Sequence, residues 1–298
     1  MTQPISIAIC THNRSGQLQI TLRAFFELLS VLTLEDELLI VDNASDDDTF
    51  EVYRSFTQSE NFHGCRVRYI HEPKRGLSCA RNRALSEFKC NWIIFFDDDI
   101  TLFPETIKAY RQAFQDGRDF SFYGGKISVD WGDKCPFWYK PGELSLIDGM
   151  VGNYNLGGDQ IEYRKSSRLP FGANFALKRD LIDAVGSFDE NLGVRGNDVG
   201  RGEESDFILR ALDMSFRGLY LEGARVNHRF QLDRLNLKYL VRYGIAKGKV
   251  LNLDGELKWK STVFNQVFRG LYQLIIGRVG NFYQCVINVG IAFGSRRR

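Results

Sequence analysis

Short apolar runs alternate with helix-spaced segments through the first hundred residues, and this rhythm constrains the fold more than any other feature of the chain. Ile5–Cys10 is a β-branched-rich run ending in Thr11-His12-Asn13-Arg14, after which Leu18, Leu22, Phe25, Phe26 and Leu29 recur at helical spacing. Glu37–Val41 is a second run and ends at Asp42; the polar turn Asn43-Ala44-Ser45-Asp46 then opens a helix that Ser45 or Asp46 can cap. Val67–Ile70 reads as a third strand, Gly76–Phe88 as a helix, and Trp92–Phe96 as a fourth strand running into Asp97-Asp98-Asp99. Strand–helix alternation of this kind predicts an α/β fold with a mostly parallel central sheet and helices on both faces. Ligands of such sheets bind beyond the carboxyl ends of the strands. Three of the four strands end there in a polar or acidic cluster, at 11–14, 42–46 and 97–99.

The second half is less regular. Residues 117–170 are rich in glycine, aromatics and turn formers, and read as strands plus a substrate loop. Phe175–Leu177 is expected as a short strand, Arg179–Val185 as a short helix and Glu204–Leu212 as another, with Phe207, Ile208, Ala211 and Leu212 on its apolar side. Leu219–Leu221 and Ala224–Val226 are expected as two short strands.

Composition narrows the function classes. With 298 residues, 44% hydrophobic and 26% charged, the chain is an ordinary globular protein able to bury one large core or two small ones. A formal net charge of +2 without clustered cations near the front gives no reason to expect a nucleic-acid partner. The six cysteines form no CxxC pair, so neither a zinc site nor a disulfide framework is indicated, and reduced thiols point to the cytoplasm. The opening MTQPISIAICTHNR has neither the basic start nor the apolar core of a signal peptide.

Three acidic features carry possible chemistry. Side-by-side carboxylates at Asp97, Asp98 and Asp99 repel one another; a hard divalent cation such as Mn2+ or Mg2+ would explain their clustering, and a solvated turn or helix start is the plain alternative. Asp42 ends a neighbouring strand, where aspartate also occurs simply as a turn residue. Gly202-Glu203-Glu204-Ser205-Asp206 places paired acids at a helix start, where they can favour the helix dipole or act as a general base. His228, after Ala224-Arg225-Val226-Asn227, is either a structural histidine or a metal ligand.

Taken together and in order, these segments resemble family 2 glycosyltransferases of the GT-A fold over roughly residues 5–230. The opening strand and loop Ile7–Arg14 match, with Cys10 where proline is usual; so do Val41–Thr49, Arg75-Gly76-Leu77-Ser78 with Ala80-Arg81-Asn82, and Phe96-Asp97-Asp98-Asp99. The fifth match is an acceptor-side block of Gly172–Ala176, Gly186–Asp189, Gly202–Asp206 and Arg210. The resemblance implies a catalytic domain over 1–230, with a Rossmann-like nucleotide-binding half (1–100) and an acceptor-binding half (101–230), followed by C-terminal helices over 231–298. It implies transfer of a sugar, with inversion, from a nucleotide-sugar donor, a UDP-sugar foremost, to a hydroxyl on a glycan or lipid-linked glycan in cell-surface or extracellular polysaccharide synthesis. Asp42 would contact the base, Thr11, Asn13, Arg14, Arg81 and Asp98 would lie near the nucleotide, and Asp97 near the ribose. Asp99 would hold the metal, joined by His228 as in some members. Glu204 stands at the catalytic-base position, usually aspartate, with Glu203 beside it. Gln231-Leu232-Asp233-Arg234-Leu235 resembles the QxxRW motif with leucine for tryptophan, leaving Arg234 to face the departing diphosphate. Two other readings share strand-end acids: a metal-dependent nucleotidyltransferase or phosphotransferase, and a non-catalytic nucleotide-sugar-binding protein. Neither requires the Glu203-Glu204 pair.

The end of the chain is basic. From Glu256 to Arg298 there are seven Lys/Arg and one acid, a net of +6. Apolar residues from Leu271 to Phe293 fall at helical spacing opposite a stripe of amides and glycines. Such a segment either lies on an anionic membrane surface, making the protein peripheral on the cytoplasmic face, or packs against its own domain or in a homodimer.

Overall fold

The computed structural model describes residues 3–59, 64–194, 202–251 and 259–294. The chain runs β1 (Ile5–Thr11), α1 (Ser15–Ala24), β2 (Glu37–Asp42), α2 (Thr49–Thr57), β3 (Arg66–His71), α3 (Leu77–Glu87), β4 (Trp92–Asp97), β5 (Ile100–Thr101) and α4 (Pro104–Gln115). It continues through β6 (Phe122–Asp130), α5 (Ser145–Val151), β7 (Ile161–Glu162), β8 (Asn174–Lys178), α6 (Arg179–Val185), α7 (Glu203–Asp213) and β9 (Gly218–Arg229). Three helices follow: α8 (Leu237–Leu251), α9 (Trp259–Ile275) and α10 (Val279–Gly294).

One nine-stranded sheet has the order β3-β2-β1-β4-β8-β6-β9-β5, with β7 on β9. The strands β3, β2, β1 and β4 are parallel. Beyond β4 the pairing is antiparallel, β4 with β8 and β8 with β6. β2 is buried at every position and β1 at all but one, as expected of parallel strands covered on both faces. The register is what makes a site. Thr11 pairs with Asp42, Asp42 with His71, and Cys10 with Asp97, so one edge of the sheet collects the polar ends of four strands. β8 runs the other way and therefore starts at that edge, where Asn174 pairs with Phe96. β9 brings His228 opposite Ile100, directly after the acidic run.

The expected strands and helices of the first hundred residues are all present, most of them one residue longer or shorter at an end. Leu219–Leu221 and Ala224–Val226 are not two strands but parts of the single strand β9, which runs unbroken through Glu222 and Gly223. Helix α4 has no counterpart in the sequence reading, although Pro104 stands in its first turn and Ile107, Tyr110, Arg111 and Phe114 recur at helical spacing. The single helical stripe expected from Leu271 to Phe293 is broken. Gly277 takes a φ of 75°, and the Arg278 and Gly277 amides donate to the carbonyls of Gln273 and Leu274, a Schellman closure that ends α9.

By compactness the described chain divides into two units: Met1–Ser128 with Tyr154–Leu192 and Glu203–His228, and Val129–Asn153 with Gly193–Gly202 and Arg229–Arg298. The first contains the principal core, built on Ile7, Ile9, Leu39, Ile94, Phe95 and Phe175. The second has its own, in which α5 contributes Ile147 and Met150, α8 Leu240 and Tyr243, and α10 Ile287. Arg234 lies in this second unit, in a short 3-10 turn, Leu232–Arg234. Among the described residues no helix is long and apolar enough to cross a membrane.

Helices α8 and α10 cross where each has a glycine. A Cβ on Gly290 would stand 2.4 Å from the Val241 carbonyl oxygen and 2.9 Å from the Gly244 Cα. Both neighbours are backbone and cannot rotate away, so Gly290→Ala has to separate the helices. Alanine improves helix propensity by about 0.5–1 kcal/mol, but forced overpacking costs about 1–3 kcal/mol, so the variant is expected to be less stable overall. A lowered urea midpoint with an unchanged slope is the expected readout.

Candidate active site

The edge described above carries a tight group of charges. Strand β4 delivers Asp97 and the chain turns at once, so the three aspartates diverge. Asp98 points into the protein: its Oδ2 accepts from the Thr11 hydroxyl at 2.7 Å, its Oδ1 pairs with the Arg14 guanidinium at 2.8 Å, and its carbonyl accepts from Thr21 at 2.6 Å. Burial, against the pull of Arg14, raises its affinity for a proton. Asp98 thus anchors the turn to β1 and α1.

Asp99 is also buried, with Arg14 at 2.5 Å from Oδ2 and the His228 Nε2 at 3.3 Å from Oδ1. Burial alone would favour the acid, yet His228 and then Arg14 outweigh it and hold Asp99 well below the usual carboxylate range. Oδ1 is enclosed and makes no geometrically formed hydrogen bond; the 3.3 Å approach of His228 is an ion-pair distance only. A buried carboxylate oxygen in that condition, next to an imidazole nitrogen, is a donor set suited to a divalent cation. Among the described residues no group of three His, Cys, Asp or Glu side chains is arranged to hold an ion by itself.

Asp97 is partly exposed, and its carboxylate lies 4.0 Å from the Arg81 guanidinium. Burial first, and then the nearby Asp99, raise its proton affinity. Arg81, on α3, is 2% exposed. It pairs with Glu203 at 2.6 Å and approaches Glu204 at 3.9 Å, while its guanidinium lies over the rings of Phe175 and Phe188. Gly172 makes room for it, since a Cβ there would stand 2.1 Å from the guanidinium. Glu203 and Glu204 are the first residues of α7 and differ in setting. Glu203 is buried, with one oxygen on Arg81 and the other without a hydrogen-bond partner; burial and then Glu204 push its pKa up, against Arg81. Glu204 is more open, its side chain 18% exposed. Cys10, between Arg81 and the acids, has its thiol pushed by burial to about 12 and stays protonated.

The remaining nucleotide-side candidates cluster at β1 and β2. The Asp42 Oδ1 accepts from the Ser45 amide at 3.0 Å, and Oδ2 accepts from the Tyr69 hydroxyl with His71 at 3.8 Å. Asn13, at a φ of 51°, accepts from the Asp46 amide through its side chain and donates its own amide to the Ser45 hydroxyl, so the two loops are joined. Of the residues that the sequence reading named, the structure places Thr11, Asn13, Arg14, Asp42, Asp97, Asp98, Asp99 and His228 at one edge of the sheet, and Arg81 between Asp97 and the Glu203-Glu204 pair. Arg234 belongs to the second unit.

The sequence reading missed three residues. Tyr69 is half-buried on an edge strand, between half-buried Arg68 and buried Ile70, and gave no signal. Asn43 ties three loops together, donating to the Lys74 and Glu72 carbonyls and accepting from the Gly76 amide. Asn174, fully buried, receives the Tyr110 hydroxyl and donates to the Ala224 carbonyl, locking β8 to α4 and β9. An asparagine inside the apolar run Ala173–Leu177 was the available clue.

Comparison with known proteins identifies the family. The family model described as "Glycosyl transferase family 2" matches residues 6–185. A glucosyl-dolichyl phosphate glucuronosyltransferase of Haloferax volcanii is 26% identical over 80% of this chain and 72% of its own. A chondroitin synthase of Escherichia coli is 24% identical over 75% of this chain, which spans only 34% of that protein. Among solved structures, a mannosyltransferase from Pyrobaculum calidifontis, in complex with GDP-Man and Mn2+, superposes with a TM-score of 0.63 over 97% of this chain and 87% of its own at 14% identity, a likeness of fold. The fold is that of GT-A glycosyltransferases, and the readings as a nucleotidyltransferase, a phosphotransferase or a non-catalytic binding protein fall away. The chain belongs to glycosyl transferase family 2 and is an enzyme of glycosyl transfer.

Proposed function

We propose that the enzyme moves a sugar from a nucleoside-diphosphate donor, a UDP-sugar, to a hydroxyl on a glycan or lipid-linked glycan, with inversion, in polysaccharide biosynthesis. The observation that carries this reading is the placement of Asp97 and the Glu203-Glu204 pair around one buried cation, Arg81, within 4.0 Å. Strand-end acids suited to a donor and helix-start acids suited to an acceptor are thereby neighbours. The name of the Haloferax relative supports a lipid-linked acceptor, and that of the Escherichia coli relative supports a polysaccharide product.

The donor's nucleoside is assigned to the edge between β1 and β2. Asp42 keeps lone pairs for a base after serving Ser45 and Tyr69, since a carboxylate accepts at about four sites. Thr11 and Asn13 shape that edge, and Asp97, the most exposed of the three aspartates, faces the ribose. Asp99 and His228 are the residues to hold Mn2+ or Mg2+, and a bound ion there supplies charge neutralisation to the departing diphosphate. Arg14 is the cation assigned to the phosphates.

The acceptor hydroxyl has to lose a proton as the new bond forms. Glu203 is poorly suited to take it, because it is buried and one oxygen is bound to Arg81. Glu204 is more exposed, and Arg81 comes no closer to it than 3.9 Å, so its carboxylate is open to an acceptor hydroxyl. We therefore assign Glu204 as the general base and Glu203 as the group that fixes Arg81.

Two measurements test these assignments. Asp99→Ala is expected to keep its fold and lose Mn2+-dependent binding of nucleoside diphosphates, read by thermal shift across a metal series with UDP- and GDP-sugars. Metal-dependent binding that persists in the folded variant would remove Asp99 from the site. Glu204→Gln is expected to slow transfer by about 10²–10⁴-fold with nearly unchanged donor affinity. Near-normal transfer by Glu204→Gln, with activity abolished in Glu203→Gln, would move the base by one residue.

A further inference from the structure

Helix α9 is turned inside out for a helix in water. Its polar side faces α10: the Gln273 side chain accepts from Asn281 at 3.2 Å and Gln266 accepts from Asn288 at 3.4 Å. Gly270 lies on the same side, close enough that a Cβ would meet Cys285 at 3.3 Å and the Phe282 ring at 3.4 Å. The opposite side is apolar and open. Val267, Leu271, Tyr272, Leu274, Ile275 and Ile276 are all exposed, with Ile275 82% and Tyr272 59% accessible. Large apolar side chains in one contiguous run at a helix end are a binding feature rather than ordinary surface.

The charge around this run selects its occupant. Arg269 and Arg278 are exposed beside it, and the stretch from Glu256 to Arg298 has seven Lys/Arg against one acid. Two copies meeting through this segment would bring like charge together, which is unfavourable. An anionic phospholipid surface accepts both features at once, its headgroups meeting the arginines and its acyl boundary the apolar side chains. Tyr272 suits that boundary, since its ring has an apolar body and a polar tip. Neither α9 nor α10 is long and apolar enough to cross the bilayer. We propose that the C-terminal half of α9 is a docking surface that lies in the plane of an anionic phospholipid membrane.

The test is co-sedimentation of the full-length chain with vesicles. Binding is expected to phosphatidylcholine vesicles containing phosphatidylglycerol, and little to phosphatidylcholine alone. Replacing Leu271, Tyr272 and Ile275 together by glutamine is expected to cut partitioning by about tenfold or more. Arg269→Gln and Arg278→Gln are each expected to cut it about fivefold. All five positions are exposed, so these variants should fold, and circular dichroism checks that they do. Equal sedimentation of the folded glutamine variant and the unaltered chain would overturn the proposal, as would absence of binding to either vesicle. A dimer by analytical ultracentrifugation that the glutamine variant dissolves, without vesicle binding, would assign the surface to a second copy instead. None of these readouts depends on sugar transfer, so they stand or fall separately from the proposed reaction.

Discussion

Everything at the site depends on keeping crowded carboxylates partly desolvated at one sheet edge without forcing them all to take up protons. Among the described residues, Asp97, Asp98, Asp99, Glu203 and Glu204 lie within reach of two guanidinium groups, Arg14 and Arg81. Each arginine works as a divider. Arg14 satisfies Asp98 and Asp99, and Arg81 satisfies Glu203 while standing between it and Asp97. Charges buried with hydrogen-bonded partners are tolerated, whereas the same acids alone would be neutralised or would destabilise the fold.

The sheet supplies the precision that this balance needs. Parallel register between β1, β2 and β4 is set by strands buried on both faces, where a slip of one residue would exchange the side chains packed on the two faces. Thr11, Asp42 and Asp97 therefore cannot move relative to one another without disrupting the core. The acceptor-side acids are fixed less directly. They depend on Arg81, and Arg81 depends on Gly172 for space and on Phe175 and Phe188 for its aromatic cover. Asn174 then secures β8, which contributes Phe175, to α4 and β9.

The second unit solves a different problem, the packing of three helices with few large side chains where α8 meets α10. Glycines at the crossing let the backbones approach closely, and dispersion contacts over that area replace interdigitated side chains. The same economy appears in α9, which uses amides and a glycine toward α10.

Much of this was determined by the sequence alone. Apolar runs of strand length separated by helix-spaced segments are sufficient to specify a parallel α/β sheet, and a sheet of that kind places the strand ends together, so Thr11, Asp42 and Asp97–Asp99 could be grouped without coordinates. What the tertiary structure decided was the condition of each group. Asp97, Asp98 and Asp99 are identical in sequence terms, but one is open, one anchors Thr11 and Arg14, and one is buried beside His228. Glu203 and Glu204 are equivalent until Arg81, more than a hundred residues earlier, claims the first of them. Tyr69 and Asn174 gave no periodic signal because their partners, Asp42 and Tyr110, are distant in the chain. The break at Gly277 was invisible to spacing because the apolar pattern continues across it; only a backbone in the left-handed region ends the helix there. Periodicity records which side of an element is apolar, whereas burial, pairing and charge state depend on what that side meets.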